Sequence, residues 1–398
     1  MESLIYDYER RLRCALKTLE RADISEANRK VILGFNQESL SLGLSKARIV
    51  KYTYYLLKMA EWLGKDFESA TVEDIKSLVR KIDESEYVAY SKSEHKMVLR
   101  KLYKWLRQTE DFPPEVAWIR PHQKKASRIK MPEELLTEGD IRSMIQASQK
   151  ERDRALVATL YESGCRIGEL IPMRIRHVSF DRYGATIVVD GKTGPRRVRL
   201  ISSVPYLKEW LNKHPDPGNP ESFVWIKGNG ELMGYTRVSE LLKHLARKAG
   251  IKKHVYPHLF RHSRATYLAN HLTEAQMKEY FGWVQESDMA GVYVHLSGRD
   301  VDDALLKVYG IHKPDTRKES GLKPRICERC EAQNPYTNLF CSRCGNSLDE
   351  AARISIVKKE MDRKQADSAL DVLIQDREFR EMLIRKLQGL ALEKPPHP

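Results

Sequence analysis

Apolar residues in the first part of the chain recur at the spacing of a helix. Five of them follow one another at alternating intervals of three and four positions: Ile49, Tyr52, Leu56, Met59 and Leu63. Such a run lies on one face of a helix. A further helix start is indicated at Thr71, because Asp74 follows three positions later, as in a capping box. These patterns predict an all-α unit over residues 1–112.

Prolines interrupt the helical pattern after this unit. Pro113, Pro114 and Pro121 prevent a helix or a strand from running through the whole stretch. We therefore predict a basic linker over residues 113–132.

A pattern of strands appears within the next helical region. Residues 185–189 are β-branched apart from the first, and residues 197–200 alternate between polar and apolar side chains, so both segments favour strands. Gly191 and Gly194 lie between them, which predicts a β-hairpin with a basic tip. Helical periodicity flanks the hairpin. We therefore expect residues 133–313 to form a mainly α domain with a small antiparallel sheet, an α+β arrangement.

Length and charge narrow the class of protein. A chain of 398 residues is too long for one ordinary core and fits two large units with a smaller one. Lys and Arg total 69 against 55 Asp and Glu, a formal net charge of +14, which favours a polyanionic partner such as nucleic acid. The sequence has no apolar run of the roughly 20 residues that a membrane span needs, and no signal peptide pattern. We expect a cytoplasmic, nucleoid-associated protein that does not contact a membrane.

Basic residues concentrate in the linker and on the hairpin. The candidate DNA contacts among them are Lys124, Lys125, Arg128, Lys130, Arg196 and Arg197. Each cluster alone could be a solvated surface, and the linker could be a soluble spacer. Two clusters on either side of a candidate catalytic pattern favour contact with phosphates.

Several short segments carry residue types suited to phosphate chemistry. They are Arg166 in G-C-R-I-G-E-L, Lys192 at the hairpin, His258 and Arg261 in H-L-F-R-H, Trp283 in F-G-W, and Tyr293 in V-Y-V-H. Their order resembles the tyrosine recombinase (integrase) family, whose pattern is T-G-x-R-x-x-E-L, a hairpin lysine, H-x-x-R-H, G-H or G-W, and then a tyrosine. The resemblance extends over the helical first unit, which is similar to the family's core-binding (SAM-like) domain, and continues to Gly310.

The resemblance implies a site-specific DNA recombinase that cleaves and rejoins strands through a covalent 3′-phosphotyrosyl intermediate, without ATP. Displacing a phosphodiester needs a nucleophile, cations around the phosphoryl oxygens and an acid for the departing oxygen. Tyr293 would be the nucleophile, and its phenol, with an ordinary pKa of about 10, needs nearby positive charge. Arg166 and Arg261 would grip the non-bridging oxygens in place of a catalytic metal. His258 would donate to the phosphoryl group or handle the tyrosine proton.

Two further positions belong to the implied catalytic set. Lys192 would protonate the leaving 5′ oxygen, which requires a lowered pKa or tight positioning. Trp283 stands where many relatives have a histidine, and its indole offers one N–H but no acid or base. This departure implies hydrogen bonding and packing at that position, and it is typical of a tryptophan-bearing, often archaeal, branch.

Three polar residues near these motifs have supporting roles. Glu169, three positions after Arg166, would orient an arginine or a histidine if it is not a surface carboxylate. His262 and His295 are interpreted as structural or orienting residues outside the catalytic set.

Four cysteines form two C-x-x-C pairs: Cys327, Cys330, Cys341 and Cys344. Four thiolates at this spacing fit a structural Zn²⁺, and so short a segment has too little core to fold without one. We predict a zinc ribbon over residues 323–348 and a charged helical tail over residues 349–398. A redox role is the poorer alternative, because no thioredoxin-like βαβ pattern surrounds the pairs.

Other functions remain open at this point. A type IB topoisomerase uses a similar residue set but lacks the core-binding unit. A non-catalytic DNA-binding regulator and an RNA-binding zinc-ribbon protein are alternatives from other classes. The resemblance also implies a homotetramer on synapsed double-stranded DNA, whose target sequence the chain does not reveal.

Overall fold

The computed structural model describes residues 5–120, 132–191, 193–296, 309 and 321–392. The first part is helical: α1 Tyr8–Arg21, α2 Glu26–Ser41, α3 Lys46–Leu63, α4 Val72–Glu84, α5 Ala89–Leu106 and α6 Pro114–Ala117. The predicted start of α4 is confirmed. The Asp74 N–H donates to Thr71 Oγ1 at 3.3 Å, and the Thr71 N–H donates to Asp74 Oδ2 at 3.0 Å.

An apolar core joins these helices. Most of the predicted face of α3 lies in it: Tyr52, Leu56 and Met59 belong to this core and Leu63 packs at its margin. Ile49, on the same face, is also buried. The core also takes in Val116 and Ile119, which are 0% and 2% exposed. Two residues of the predicted linker therefore pack with the helical unit. Pro114 stands at the start of α6, where a helix needs no N–H, so a proline does not break it.

The second part is mainly helical around a small sheet. Its helices are α7 Glu138–Ala147, α8 Glu151–Ser163, α9 Ile167–Leu170, α10 Val204–Asn212, α11 Tyr235–Lys248, α12 Pro257–Ala269, α13 Glu274–Phe281 and α14 Met289–Leu296. Its strands are β1 Val178–Asp181, β2 Gly184–Gly191 and β3 Gly194–Leu200. This confirms the expectation of a mainly α unit with a small antiparallel sheet.

The sheet has the predicted hairpin. Strand β2 pairs antiparallel with both β1 and β3, and Ile187 lies opposite Val198 in the β2–β3 ladder. Alternate side chains face the core, because successive residues of a strand point to opposite sides. Ile187 and Val198 are both fully buried. The ladder ends at the pair Gly191 and Gly194. Thr193, next to this end, is hydrogen-bonded to the Gly282 carbonyl, so the hairpin end lies beside the residues that follow α13.

The cysteine segment packs against this second part. Strands β4 Arg325–Ile326 and β5 Gln333–Asn334 pair antiparallel. Leu322 and Tyr336 are 5% and 9% exposed and join the core beneath α7 and α10, and the hydroxyls of Tyr206 and Thr337 are 3.1 Å apart. The segment is therefore seated on the second part by side chains outside the cysteine pairs.

Two helices follow: α15 Glu350–Gln375 and α16 Arg377–Leu392. Most of the described side chains on them are exposed. Within the described ranges, no helix combines the length and the apolar character needed to cross a bilayer.

Candidate active site

A glycine turn positions Arg166. Gly164 ends α8 with a left-handed φ of 55°, and a Cβ there would lie 2.5 Å from the Phe281 ring. Glycine is therefore needed both for the backbone conformation and for packing. The turn brings Arg166 to the N-terminal cap of α9, where a third of its side chain is exposed.

Glu169 orients this arginine. Its carboxylate accepts from the Arg166 N–H at 2.9 Å and from Arg166 Nη1 at 2.7 Å, and it also accepts from Arg196 Nη2 at 2.7 Å. Burial raises the pKa of Glu169, but the bonds from Arg196 and then Arg166 outweigh it, so the net shift of this pKa is downward. The hairpin backbone passes close by, because a Cβ on Gly191 would lie 2.5 Å from Glu169 Oε1. Glu169 is thus a buried, ionised carboxylate.

Arg196 lies in the interior and is not presented to solvent as a DNA contact. Its side chain is 9% exposed, and its Nε donates to the Tyr280 carbonyl at 3.0 Å. The prediction of a phosphate contact at this position is therefore corrected. The sequence does contain a signal for this burial. Alternate residues of β3 share a face, and Arg196 lies on the same face as the buried Val198 and Leu200. Arg197 points to the other face and is exposed.

Arg261 is the most deeply held cation of the site. It is 3% exposed, and it donates to the Gly164 carbonyl at 3.0 Å and to the Phe281 carbonyl at 2.6 Å. Burial and the charge of Arg166 lower its pKa to about 10, which still leaves it charged at neutral pH. A buried guanidinium that repels a neighbouring one is stabilised by a bound anion, and a phosphate matches its planar donor geometry.

Tyr293, on α14, lies close to Arg261. It is 5% exposed, and the Trp283 ring is parallel to the phenol with the ring centroids 5.7 Å apart and an interplanar angle of 3°. The Trp283 ring also lies 5.4 Å from the guanidinium carbon of Arg261. Burial raises the pKa of Tyr293 to about 12, although the charge of Arg261 opposes the shift. The phenol is therefore neutral at neutral pH.

Two histidines occupy one face of α12. Tyr293 Oη is hydrogen-bonded to Nδ1 of His262. The His258 ring lies 5.2 Å from the His262 ring at an angle of 83°. Desolvation, then the charges of His262 and the nearby arginines, lower the pKa of His258 to about 4. The His258 side chain is open to solvent, so hydration limits the size of this shift, but its direction favours the neutral imidazole.

The structure therefore places His262, which the sequence interpretation set outside the catalytic set, directly against the candidate nucleophile. A signal for it exists in the sequence. His262 follows His258 by four positions, and residues four apart share a helix face. His258 and His262 thus had to face the same pocket.

Five of the predicted residues lie outside the described residues: Lys124, Lys125, Arg128, Lys130 and Lys192. The neighbour of Lys192 in the hairpin is described, and Thr193 Oγ1 donates to the Gly282 carbonyl at 3.2 Å. This bond ties the hairpin end to the residue before Trp283. The catalytic candidates Arg166, Arg261 and Tyr293 are brought together by elements that are distant in sequence.

The four cysteines are brought together as well. Their Sγ atoms all lie within 4.8 Å of one another, and Cys327 to Cys344 and Cys330 to Cys341 are both 3.6 Å apart. Asn334 Nδ2 and the Arg343 N–H lie 3.6 and 3.4 Å from Cys341 Sγ. A cluster of four sulfurs with N–H donors around it is suited to holding a metal ion as thiolates.

Comparison with known proteins supports a family assignment. Residues 134–299 match the sequence model of the Phage integrase family. The tyrosine recombinase XerA of Pyrococcus furiosus is 31% identical over 234 residues, which cover 57% of this chain and 75% of XerA. A tyrosine recombinase of Thermosipho africanus is 32% identical over 185 residues, covering 46% of this chain and 63% of the relative.

Solved structures are similar in fold. XerH recombinase in a post-cleavage complex with a palindromic difH substrate has a TM-score of 0.54 and 18% identity, with 78% of this chain and 96% of that chain covered. A lambda integrase dimer bound to a COC′ core site has a TM-score of 0.53 and 18% identity, with 68% and 78% covered. The sequence match to XerA, the fold and the grouping of Arg166, Arg261 and Tyr293 lead to one assignment: this chain belongs to the tyrosine recombinase family.

Proposed function

We propose that this chain is a site-specific DNA recombinase that cuts and rejoins double-stranded DNA with Tyr293 as its nucleophile. The observation that carries the proposal is the position of the Tyr293 phenol, which stacks on the Trp283 ring that also contacts Arg261. Tyr293 Oη attacks the phosphorus, the 5′ oxygen leaves, and a 3′-phosphotyrosyl link conserves the energy of the broken bond. A 5′ hydroxyl from another duplex then displaces the tyrosine, so no ATP is consumed.

Arg166 and Arg261 bind the non-bridging oxygens of the phosphate. Both guanidinium groups are held by protein acceptors, Glu169 for Arg166 and two backbone carbonyls for Arg261. Donors fixed in this way stabilise the charge that develops on the phosphoryl oxygens without reorganising during the reaction. This arrangement performs the role that a metal ion has in other phosphoryl-transfer sites, so we expect no catalytic metal. His258 donates to the same phosphoryl group in this proposal.

Lys192 protonates the leaving 5′ oxygen in this proposal. Its support is indirect: Thr193 is tethered to the Gly282 carbonyl, and Arg196 anchors β3 to Glu169. Both bonds fix the hairpin on the β3 side of its tip. Trp283 contributes a flat wall against the phenol and one N–H donor.

DNA binding is assigned to both large parts of the chain. We propose that the core-binding unit, residues 1–112, and the catalytic domain, residues 133–313, lie on opposite faces of the duplex. The basic linker residues Lys124, Lys125, Arg128 and Lys130, together with the exposed Arg197, neutralise backbone phosphates. Such contacts give affinity that falls with salt but little sequence information.

A homotetramer on synapsed DNA is part of the proposal. Helix α15 carries Ile354 and Met361, which are 62% and 61% exposed, and such residues are suited to packing on a neighbouring copy. Analytical ultracentrifugation with and without a bound site tests this step. A DNA complex that never exceeds two copies of the chain would refute it.

The cysteine cluster is proposed to hold a structural Zn²⁺ in a zinc ribbon. Tetrahedral Zn–S bonds of about 2.3 Å require sulfurs about 3.8 Å apart, and the paired sulfurs here are 3.6 Å apart. The ion would fix the two C-x-x-C turns against each other. Leu322 and Tyr336 then hold the ribbon on the catalytic domain.

A nicked suicide duplex tests the catalytic function. A bound site is first selected from host DNA, and the wild type is compared with Tyr293→Phe in EDTA. We expect both proteins to bind and only the wild type to give a denaturant-resistant adduct. Absence of an adduct on a bound site would favour a non-catalytic DNA-binding regulator. Relaxation of a supercoiled plasmid without exchange between two duplexes would favour a type IB topoisomerase.

A further inference from the structure

The hydroxyl of Tyr293 has a specific partner on α12. Its Oη is hydrogen-bonded to Nδ1 of His262, and the two rings have centroids 6.0 Å apart. The His258 ring is perpendicular to that of His262 and 5.2 Å from it. Among the described side chains, the imidazole that touches the nucleophilic oxygen is therefore that of His262.

The backbone at this histidine is fixed on both sides. Arg261 donates to two backbone carbonyls. Ser263 is 4% exposed, donates to the Leu259 carbonyl at 2.8 Å and accepts from the Leu136 N–H at 2.8 Å. His262 thus projects from a rigid segment toward Tyr293, as a base that must meet one particular proton does.

Two other described groups lie close to the phenol, and neither can take its proton. The indole of Trp283 and the guanidinium of Arg261 are donors only. Burial keeps the phenol of Tyr293 protonated at neutral pH, since its pKa is raised to about 12. The proton must therefore leave as Oη bonds to phosphorus, and it needs an acceptor at hydrogen-bond distance.

We propose that His262, and not His258, is the general base that receives the phenolic proton of Tyr293. The inference rests on the proposed strand cleavage and deepens it. In cleavage, Oη forms a bond to phosphorus while its proton moves to Nδ1 of His262, which becomes an imidazolium. The bond from phosphorus to the 5′ oxygen breaks, and that oxygen keeps the electron pair and takes a proton from the acid.

Rejoining reverses each transfer. The incoming 5′ hydroxyl gives its proton to the group that acted as acid, and its oxygen bonds to phosphorus. Tyr293 Oη departs with the electron pair of its bond to phosphorus and recovers the proton from Nδ1 of His262. Nδ1 needs a lone pair at the start, so the resting imidazole carries its hydrogen on Nε2. His258 then donates to the phosphoryl oxygens, and its solvent-exposed side chain is accessible to a bound phosphate.

The test separates the nucleophile side from the leaving-group side of the reaction. Single-turnover cleavage is measured on a normal suicide duplex and on one whose bridging 5′ oxygen is replaced by sulfur, because a thiolate departs without an acid. His262→Asn is the main variant, since the amide keeps a hydrogen-bonding group near the place of Nδ1 but has no basicity. His262→Gln is the second variant. His244→Asn, an exposed histidine on α11, is the matched control.

We expect His262→Asn to lose roughly 10²- to 10⁴-fold in rate, the usual contribution of a general base, on both duplexes. Lys192→Ala loses rate on the oxygen duplex and recovers on the sulfur one, and His244→Asn cleaves both normally. Recovery of His262→Asn on the sulfur duplex, or a rate equal to the wild type, overturns the inference. If His262→Asn fails to bind the site, the same criteria apply to His262→Gln. A wild type that binds but forms no adduct refutes the proposed function, whereas a wild-type adduct with fully active His262 variants refutes only the assignment of the base.

Discussion

Replacing Arg196 by alanine removes one side of a buried ion pair. The side chains of Arg196 and Glu169 are 9% and 3% exposed, and Nη2 lies 2.7 Å from Oε2. The same guanidinium donates to the Tyr280 carbonyl at 3.0 Å. Arg196→Ala therefore leaves a buried carboxylate with one cation fewer and a partly buried carbonyl without this donor.

The expected loss of stability is large for a single substitution. Removing one partner of a buried pair costs about 3–5 kcal/mol. We expect about 3 kcal/mol, the lower end of that range, because Arg166 still donates to Glu169 at 2.7 Å. With a urea dependence of about 3 kcal/mol/M, the unfolding midpoint falls by about 1 M.

The neighbouring residue supplies the control. Arg197→Ala removes the same charge from the exposed face of β3, where substitutions change the free energy of unfolding by about 0.5 kcal/mol or less. Urea unfolding of the catalytic domain, followed by tryptophan fluorescence, compares both variants with the wild type. The affinity for a selected DNA site is measured in parallel, and Arg197→Ala is expected to weaken it with a reduced salt dependence. Equal midpoints for the two variants would refute the buried role of Arg196.

Three further predictions concern the site and the cysteine cluster. Gly191→Ala sets a Cβ 2.5 Å from Glu169 Oε1. The shifted carboxylate misplaces Arg166, so the rate of strand cleavage should fall roughly 100-fold. The control Gly228→Ala has open space around the new Cβ and should cleave at the wild-type rate. Because the pKa of Glu169 is lowered in the folded state, its contribution to stability is present at neutral pH and is lost as the pH falls through that folded value. Urea unfolding of the wild type and of Glu169→Gln is therefore measured at neutral and at acid pH. The difference in unfolding free energy between them should become smaller in acid, and a difference that does not change with pH would contradict this. A chromogenic chelator should release zinc from the wild type but none from Cys341→Ser. A wild type that is isolated without zinc and whose four thiols react freely would count against the ribbon.

Local pattern predicted the elements that depend on neighbouring residues. The capping box at Thr71 is present, and the hairpin closes between Gly191 and Gly194 as its turn residues indicate. In these two cases the physical cause lies within a few positions of the chain. Each C-x-x-C pair is also local, whereas the two pairs meet through contacts that span 11 and 17 positions.

Long-range packing decided what the sequence interpretation missed. The role of Arg196 depends on Glu169 and Tyr280, which come from other elements, and charge alone does not distinguish a buried ion pair from a phosphate contact. The contact of His262 with Tyr293 requires α12 and α14 to pack against each other. The burial of Val116 and Ile119 likewise depends on helices far upstream, whereas the prolines before them suggested only an interruption.

The chemistry of the DNA adduct is the decisive observation for strand transfer by Tyr293. The adduct formed on a suicide duplex in EDTA is digested with protease and nuclease, and the modified peptide and the freed DNA end are identified by mass spectrometry. We expect a nucleotide linked through its 3′ phosphate to Tyr293 and a 5′ hydroxyl on the released strand. An adduct on another residue, a link through a 5′ phosphate, or cleavage that requires a divalent metal would contradict the assignment of Tyr293 as the nucleophile.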